Sequence, residues 1–435
     1  MGKTNRRQAF LVAAGHLFND FYGSLLTPIL PILVRELNIS LTMAGAVVST
    51  LSLTTAFLQP IFGWLVDRRP RLWVLSLGLA WIATLMTFTG FAPHYWIFLV
   101  MAGLAGLGSA VYHPLGSVLM TRAVNGQKGL AMSIYSSIGN FGEALVPLIV
   151  TPVAMALGLK GLALLAIPGL LLAWLIYRAY RNEPSPSPEL LTVSLERRSD
   201  GDGETLYTPA SSVNPAPAAP TAPVAPPAPA APTGHPWFWV ALLDLVLIMR
   251  SAVHSSLIAF LPVYLVHKGY TIVASGRILF SFMLASAVGI PFAGLLADRY
   301  GRKPIMVISL AGTFVFTSLF LITGMRPGVV LLTLAGVLIL ATLPLSIVAA
   351  QELIPARAGM ASGLMMGFAW GIGGVGATVT GALSDAMGVG AALHAMIWLL
   401  LPAAALVVFL PAHVSKPARS APPAPPAPVQ RPQSV

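Results

Sequence analysis

Gly63-Trp64-Leu65-Val66-Asp67-Arg68 and Gly294-Leu295-Leu296-Ala297-Asp298-Arg299 each end a long apolar run, and the two stand 231 positions apart. The run before each is long enough to cross a bilayer as a helix, which takes about 20 residues. Outward from this pair, twelve such runs fall between about residues 9 and 410. Lipid offers no partners to backbone N–H and C=O groups, so runs without period-two alternation are read as helices rather than barrel strands. Composition agrees. Of 435 residues, 56% are hydrophobic and 9% charged, against about 25% charged in a soluble domain. The expectation is an all-α membrane protein with twelve transmembrane helices.

Three further landmarks repeat at nearly the same offset. Pro31 answers Pro262 at 231, Gly129-Leu130-Ala131 answers Gly359-Met360-Ala361 at 230, and Gly139 and Gly142 answer Gly371 and Gly374 at 232. Four landmarks in constant register argue for an internal duplication. Residues 1–181 are read as one six-helix bundle and 236–410 as a second, related to the first by pseudo-twofold symmetry. Residues 182–235 form a Pro/Ala-rich linker and 411–435 a Pro-rich tail. Segments of Pro, Ala, Ser and charge build no core and are expected to be extended or disordered.

The net charge of +11 raises a nucleic-acid partner, which requires basic residues clustered on one face. With the N-terminus placed inside, Arg35, Lys160, Lys268 and Arg326 fall outside and Arg250 and Arg277 within helices, leaving 19 of the 25 basic residues on the inner side. That is the positive-inside bias. The charge therefore reads as an orientation signal, with both termini and the linker cytoplasmic in a multi-pass cell (cytoplasmic or inner) membrane protein and no nucleic acid bound. Cysteine is absent, which removes disulfides and thiolate metal sites. Gly371-Ile372-Gly373-Gly374-Val375-Gly376 lies within an apolar run with no strand before it, so it is not a dinucleotide loop, and no P-loop occurs. No nucleophile–base pair or metal-ligand motif stands out. The expectation is a monomer in membrane lipid, neither enzyme nor cofactor protein.

Gly294 to Lys303, with Tyr300, Gly301 and Arg302 completing it, resembles the cytoplasmic loop signature of the major facilitator superfamily, at its place between helices 8 and 9. The first-half copy departs at Pro70, near the expected glycine. A narrower resemblance lies in His16-Leu17-Phe18-Asn19-Asp20, Gly106 to Pro114 and Gly139-Asn140-Phe141-Gly142, which are similar to fosmidomycin-resistance-type exporters. Leu115 and Glu143 depart from that pattern. The resemblance implies two bundles around a central cavity, alternating access and proton-driven export. It also implies that Asp67, Arg68, Asp298, Arg299 and Arg302 form charge contacts between helix ends that hold the inside closed.

Polar residues within spans cost about 2.5–3.5 kcal/mol when charged and mark function or fixed pairing. His16 and Asp20 share one helix face, and Asp20 lies roughly 18 Å from the start of its span. Asp20, Glu143, His16 and His113 are the candidates for proton coupling; a fixed hydrogen-bonded pair is the alternative. Asn19, Tyr22, Tyr112, Asn140, Arg250, His254 and Trp370 are the candidates for substrate binding. A guanidinium at mid-depth clamps a carboxylate or phosphonate with paired bonds, or else neutralises Glu143 or Asp244. The leading expectation is proton-coupled antiport of a small drug-like or anionic compound. A proton symporter importing a metabolite or organic anion is the first rival. A non-transporting sensor or scaffold using the proline-rich segments is the second.

Overall fold

The computed structural model describes residues 3–68, 71–123, 128–181, 235–323, 325–354 and 357–411. The side chains at 3–6, 66–68, 118, 121–123, 128–133, 325–326, 358–359 and 362 are outside this description. So are the linker expected at 182–235, save His235, and nearly all of the tail expected at 411–435.

Twelve spans cross the molecule: α1 (Arg7–Glu36), α2 (Leu41–Leu65), α3 (Val74–Phe91), α4 (Tyr95–Ser117), α5 (Ile134–Leu157), α6 (Leu159–Tyr180), α7 (Pro236–His267), α8 (Ile272–Tyr300), α9 (Arg302–Ile322), α10 (Pro327–Leu353), α11 (Leu364–Met387) and α12 (Val389–Val408). They agree with the apolar runs to within a few residues. The face where α1 begins and α12 ends is called the near face, and the other the far face. α1 is interrupted by a 3₁₀ turn at Thr27–Ile29, where Pro28 and Pro31 withhold backbone donors. Gly301 (φ 91) makes the tight turn from α8 to α9, a conformation in which a Cβ is penalised.

The two six-helix bundles meet through α2 against α11 and α5 against α8, with α1 and α7 packed along the middle. α7 is the most enclosed of these spans, with 89% of its most apolar 18-residue stretch buried. The α2–α11 seam is built from small residues. A Cβ on Gly45 would collide with the Ala377 carbonyl, and one on Gly381 with the Leu41 carbonyl. Backbones that approach this closely admit short hydrogen bonds. Ser49 Oγ donates to the Gly374 carbonyl at 2.8 Å, and Thr378 Oγ1 donates to Ser49 Oγ at 2.7 Å. At the far face Asp385 accepts from the Leu41 and Thr42 N–H groups, both at 2.9 Å, and from the Thr42 hydroxyl at 2.6 Å. These bonds join the bundles on the far side of the membrane midplane. Nearer the near face, α2 and α8 leave Phe57, Ile61, Trp64, Phe292 and Leu295 exposed.

Candidate functional site

Two polar groups lie at mid-depth, one in each bundle. The first is built on α1 and closed by α4 and α5. Helical spacing brings His16 Nε2 to 3.2 Å from Asp20 Oδ2. His113 of α4 brings its Nε2 to 3.6 Å from Asp20 Oδ1. Asn19 donates through Nδ2 to Asp20 Oδ1 at 3.0 Å and to Ser109 Oγ at 3.2 Å, and that amide lies 3.3 Å from His113 Nε2.

The backbone of α5 fixes the other side. His16 Nδ1 lies 2.7 Å from the Tyr135 carbonyl, so its Nδ1–H donates there and Nε2 faces Asp20. The Tyr135 ring stacks on the His16 ring at 3.7 Å. Gly139 is required by this closeness, since a Cβ there would collide with the Asp20 carboxylate and the His16 ring. His16 and Asn19 are buried, whereas the side chains of Asp20 and His113 are 15% and 26% exposed.

Glu143, one turn of α5 beyond Gly139, makes no hydrogen bond or ion pair with this group among the described residues. Its Oε1 accepts from the Ser24 hydroxyl at 3.2 Å, and among the described residues it forms no ion pair. The expected alternative, a Glu143–Arg250 or Asp244–Arg250 pair, is absent among the described residues. Asn140 donates to the Ser136 carbonyl of its own helix. Tyr22 and Tyr112 are fully buried, and their hydroxyls donate to the Leu165 and Val12 carbonyls at 2.7 and 2.8 Å. Both hydroxyls are spent on holding helices together rather than turned to a ligand.

The second group is on α7. Arg250 is fully buried, and its Nε, Nη1 and Nη2 have no hydrogen-bond partner among the described residues. The same holds for Ser251 Oγ and His254 Nδ1. Trp370 of α11 presents its ring 5.5 Å from the guanidinium carbon and meets the His254 ring edge-on at 5.6 Å. Trp370 is placed by its own helix: a π-helical turn at Leu364–Phe368 precedes it. Gly373 and Gly376 follow it and let α11 lie directly on Ser251 and Ala252. π turns inside α-helices gather at functional sites. A desolvated guanidinium with every donor free is costly unless an anion completes it. Asp244, lower on α7, also has an unpartnered Oδ1. Arg277 is exposed.

The expected gating residues separate. The side chains of Asp67 and Arg68 lie outside the described residues. Asp298 and Arg299 are exposed, and Arg299 packs over the Tyr300 ring at 5.3 Å. Arg302 makes a two-bond pair with Glu352, at 2.5 and 2.7 Å. This pair ties α9 to α10 within the second bundle and does not bridge the bundles. Neighbouring Lys303 donates to the Val408 and Leu410 carbonyls at the end of α12. Sequence reasoning missed Glu352 and Asp385. Both are acids at the ends of apolar runs, where topology calls for none, and that was the available signal.

Twelve spans in two six-helix bundles agree with the comparisons. The family model described as Major Facilitator Superfamily matches residues 12–281 and 245–433. The chain belongs to the major facilitator superfamily. It is a multi-pass membrane transporter, and this family and fold are not those of enzymes. It is 28% identical to the fosmidomycin resistance protein of Escherichia coli (strain K12) over 375 residues, 86% of this chain and 85% of that one. It is 28% identical to the uncharacterized MFS-type transporter YfnC of Bacillus subtilis (strain 168), covering 92% of this chain and 91% of that one. A shorter match, 29% over 160 residues, is to the multidrug resistance protein MdtG of Rahnella sp. (strain Y9602), covering 36% and 39%. Among solved structures it superposes on a bacterial homologue of the human lysosomal transporter Spinster, inward-facing and occupied, with TM-score 0.75, 15% identity, and 94% and 97% coverage. The nucleoside transporter NupG gives TM-score 0.67 at 14% identity, covering 93% and 99%.

Proposed function

We propose that this transporter exports a small anionic, drug-like compound from the cytoplasm in exchange for protons, with the near face cytoplasmic. The observation that carries this is Arg250: a buried guanidinium whose nitrogens have no hydrogen-bond partner among the described residues, beside the likewise unpartnered Nδ1 of His254 and under the Trp370 ring. A carboxylate or phosphonate fits this donor set bidentately, and the indole takes a flat apolar body. The 28% identity to the fosmidomycin resistance protein supports export of a drug-like compound, and the positive-inside bias supports the orientation.

For the proton we assign Glu143. Its one hydrogen-bond partner among the described residues is a neutral hydroxyl, so it gains and loses a proton without dismantling any ion pair described there. Asp20 is engaged by two imidazoles and an amide. Binding energy for the anion must differ between the two states of the cycle for transport to be driven. Purified protein in liposomes loaded with a pH-sensitive dye tests the reading. Addition of an anionic substrate is expected to start proton movement in the opposite direction. Substrate flux with no accompanying proton flux would overturn the coupling, and flux of cations alone would overturn the Arg250 assignment.

A further inference from the structure

We infer that His16 Nε2, Asp20 and His113 Nε2 form a binding site for a divalent transition-metal ion of the zinc class. The inference stands independently of the anion and proton readings. Its ground is spacing. Zinc–nitrogen and zinc–oxygen bonds are about 2.0–2.2 Å, which sets neighbouring ligand atoms of a tetrahedral site about 3.3 Å apart. The His16 Nε2–Asp20 Oδ2 and His113 Nε2–Asp20 Oδ1 separations are 3.2 and 3.6 Å. The ligand atoms of all three residues lie within 4.8 Å of one another.

The surrounding shell is that of a ligand set. The Tyr135 carbonyl takes the Nδ1–H of His16 and leaves the Nε2 lone pair facing the centre, the arrangement that orients metal-bound histidines. Asn19 orients the carboxylate. The stacked Tyr135 ring and the glycine at 139 hold the His16 ring in one pose. Two imidazoles with one carboxylate select zinc, cobalt, nickel or copper over magnesium and calcium, which take oxygen. Three protein ligands leave a fourth position open, and the 15% and 26% exposure of Asp20 and His113 gives the ion a way in. The sequence conceals the site because His113 joins from α4, 93 positions beyond Asp20.

The test uses the full chain, purified without a polyhistidine tag and stripped with EDTA. Titration with Co²⁺ is expected to give the visible absorption of a tetrahedral nitrogen–oxygen site, saturating at one ion per chain and displaced by Zn²⁺. His16→Gln, Asp20→Asn and His113→Gln should each weaken binding at least tenfold, in line with losses at supporting residues of known sites. Asp298→Asn, exposed at the end of α8 and away from the cluster, should leave it unchanged. A wild-type titration with no saturable tetrahedral spectrum overturns the inference whatever the variants do. So does a spectrum that survives all three ligand substitutions.

Discussion

Asp385 and Thr42, 343 positions apart, are joined by two hydrogen bonds, with the Thr42 N–H and hydroxyl both donating to Asp385 Oδ2 at 2.9 and 2.6 Å. The Leu41 N–H donates to the other oxygen. A carboxylate from the second bundle thereby caps the first turn of α2, a task usually done by a residue just before the helix. The same contact bridges the bundles at the far face, so it must break whenever that face opens.

Asp385→Ala is accordingly expected to shift the population toward far-face opening. Bonds of this kind at an exposed position contribute about 1 kcal/mol net, which is about fivefold in the ratio of states. The absence of native cysteine makes the measurement clean. Spin labels on Glu36→Cys and Met387→Cys should show a growing long-distance population in the Asp385→Ala background. An unchanged distance distribution would remove Asp385 from the closure.

The glycine seam should respond more severely. Gly45→Ala and Gly381→Ala each place a methyl group against an opposing backbone carbonyl, and a carbonyl within a packed helix has no rotamer to yield. Both variants are expected to keep α2 and α11 apart, with the same label pair reporting opening and with transport lost while the protein remains folded. Wild-type transport by either would show that the seam relaxes.

Arg250→Met separates stability from function with opposite signs. Removing a buried, unpaired cation and filling its volume with an apolar chain is expected to stabilise the ligand-free protein, by about 1–4 kcal/mol where such replacements have been made. Its melting temperature should rise by a few degrees. The same variant should lose the added stability that anionic ligands give the wild type by mass action. A fall in ligand-free stability would mean that Arg250 has a partner in the membrane.

Glu143→Gln keeps the size and the hydrogen bond to Ser24 but cannot carry a proton. Substrate binding should persist within about threefold, while substrate flux should no longer respond to an imposed pH gradient. A variant that still accumulates substrate against its gradient when the pH gradient is applied would move the coupling role elsewhere.

Much of the architecture was legible because apolar length and register are one-dimensional properties. The offset between Gly63 and Gly294 carried the duplication, and the i,i+4 spacing of His16 and Asp20 carried half of the first polar group. The backbone partners were not legible. Nothing in the sequence says that Tyr135 offers its carbonyl to His16, or that Tyr22 and Tyr112 spend their hydroxyls on Leu165 and Val12. Charge complementarity alone offered a pairing, as an alternative, that is absent among the described residues. Arg250 was a plausible mate for Glu143, yet helix rotation leaves the guanidinium facing Trp370. The arginines of the Gly294–Lys303 segment look alike in sequence, but only packing distinguishes buried Arg302, fastened to Glu352, from exposed Arg299.

The fastening of Arg302 to Glu352, with Lys303 holding the end of α12, has a kinetic corollary. These ties bind α9, α10 and α12 into one block at the near face, so that block swings as a unit and its own ties survive the movement. The far face has no such freedom, because its bonds run from one moving body to the other. In this state the far face is held shut by bonds that must be given up before it opens, whereas the near-face block carries its ties along intact.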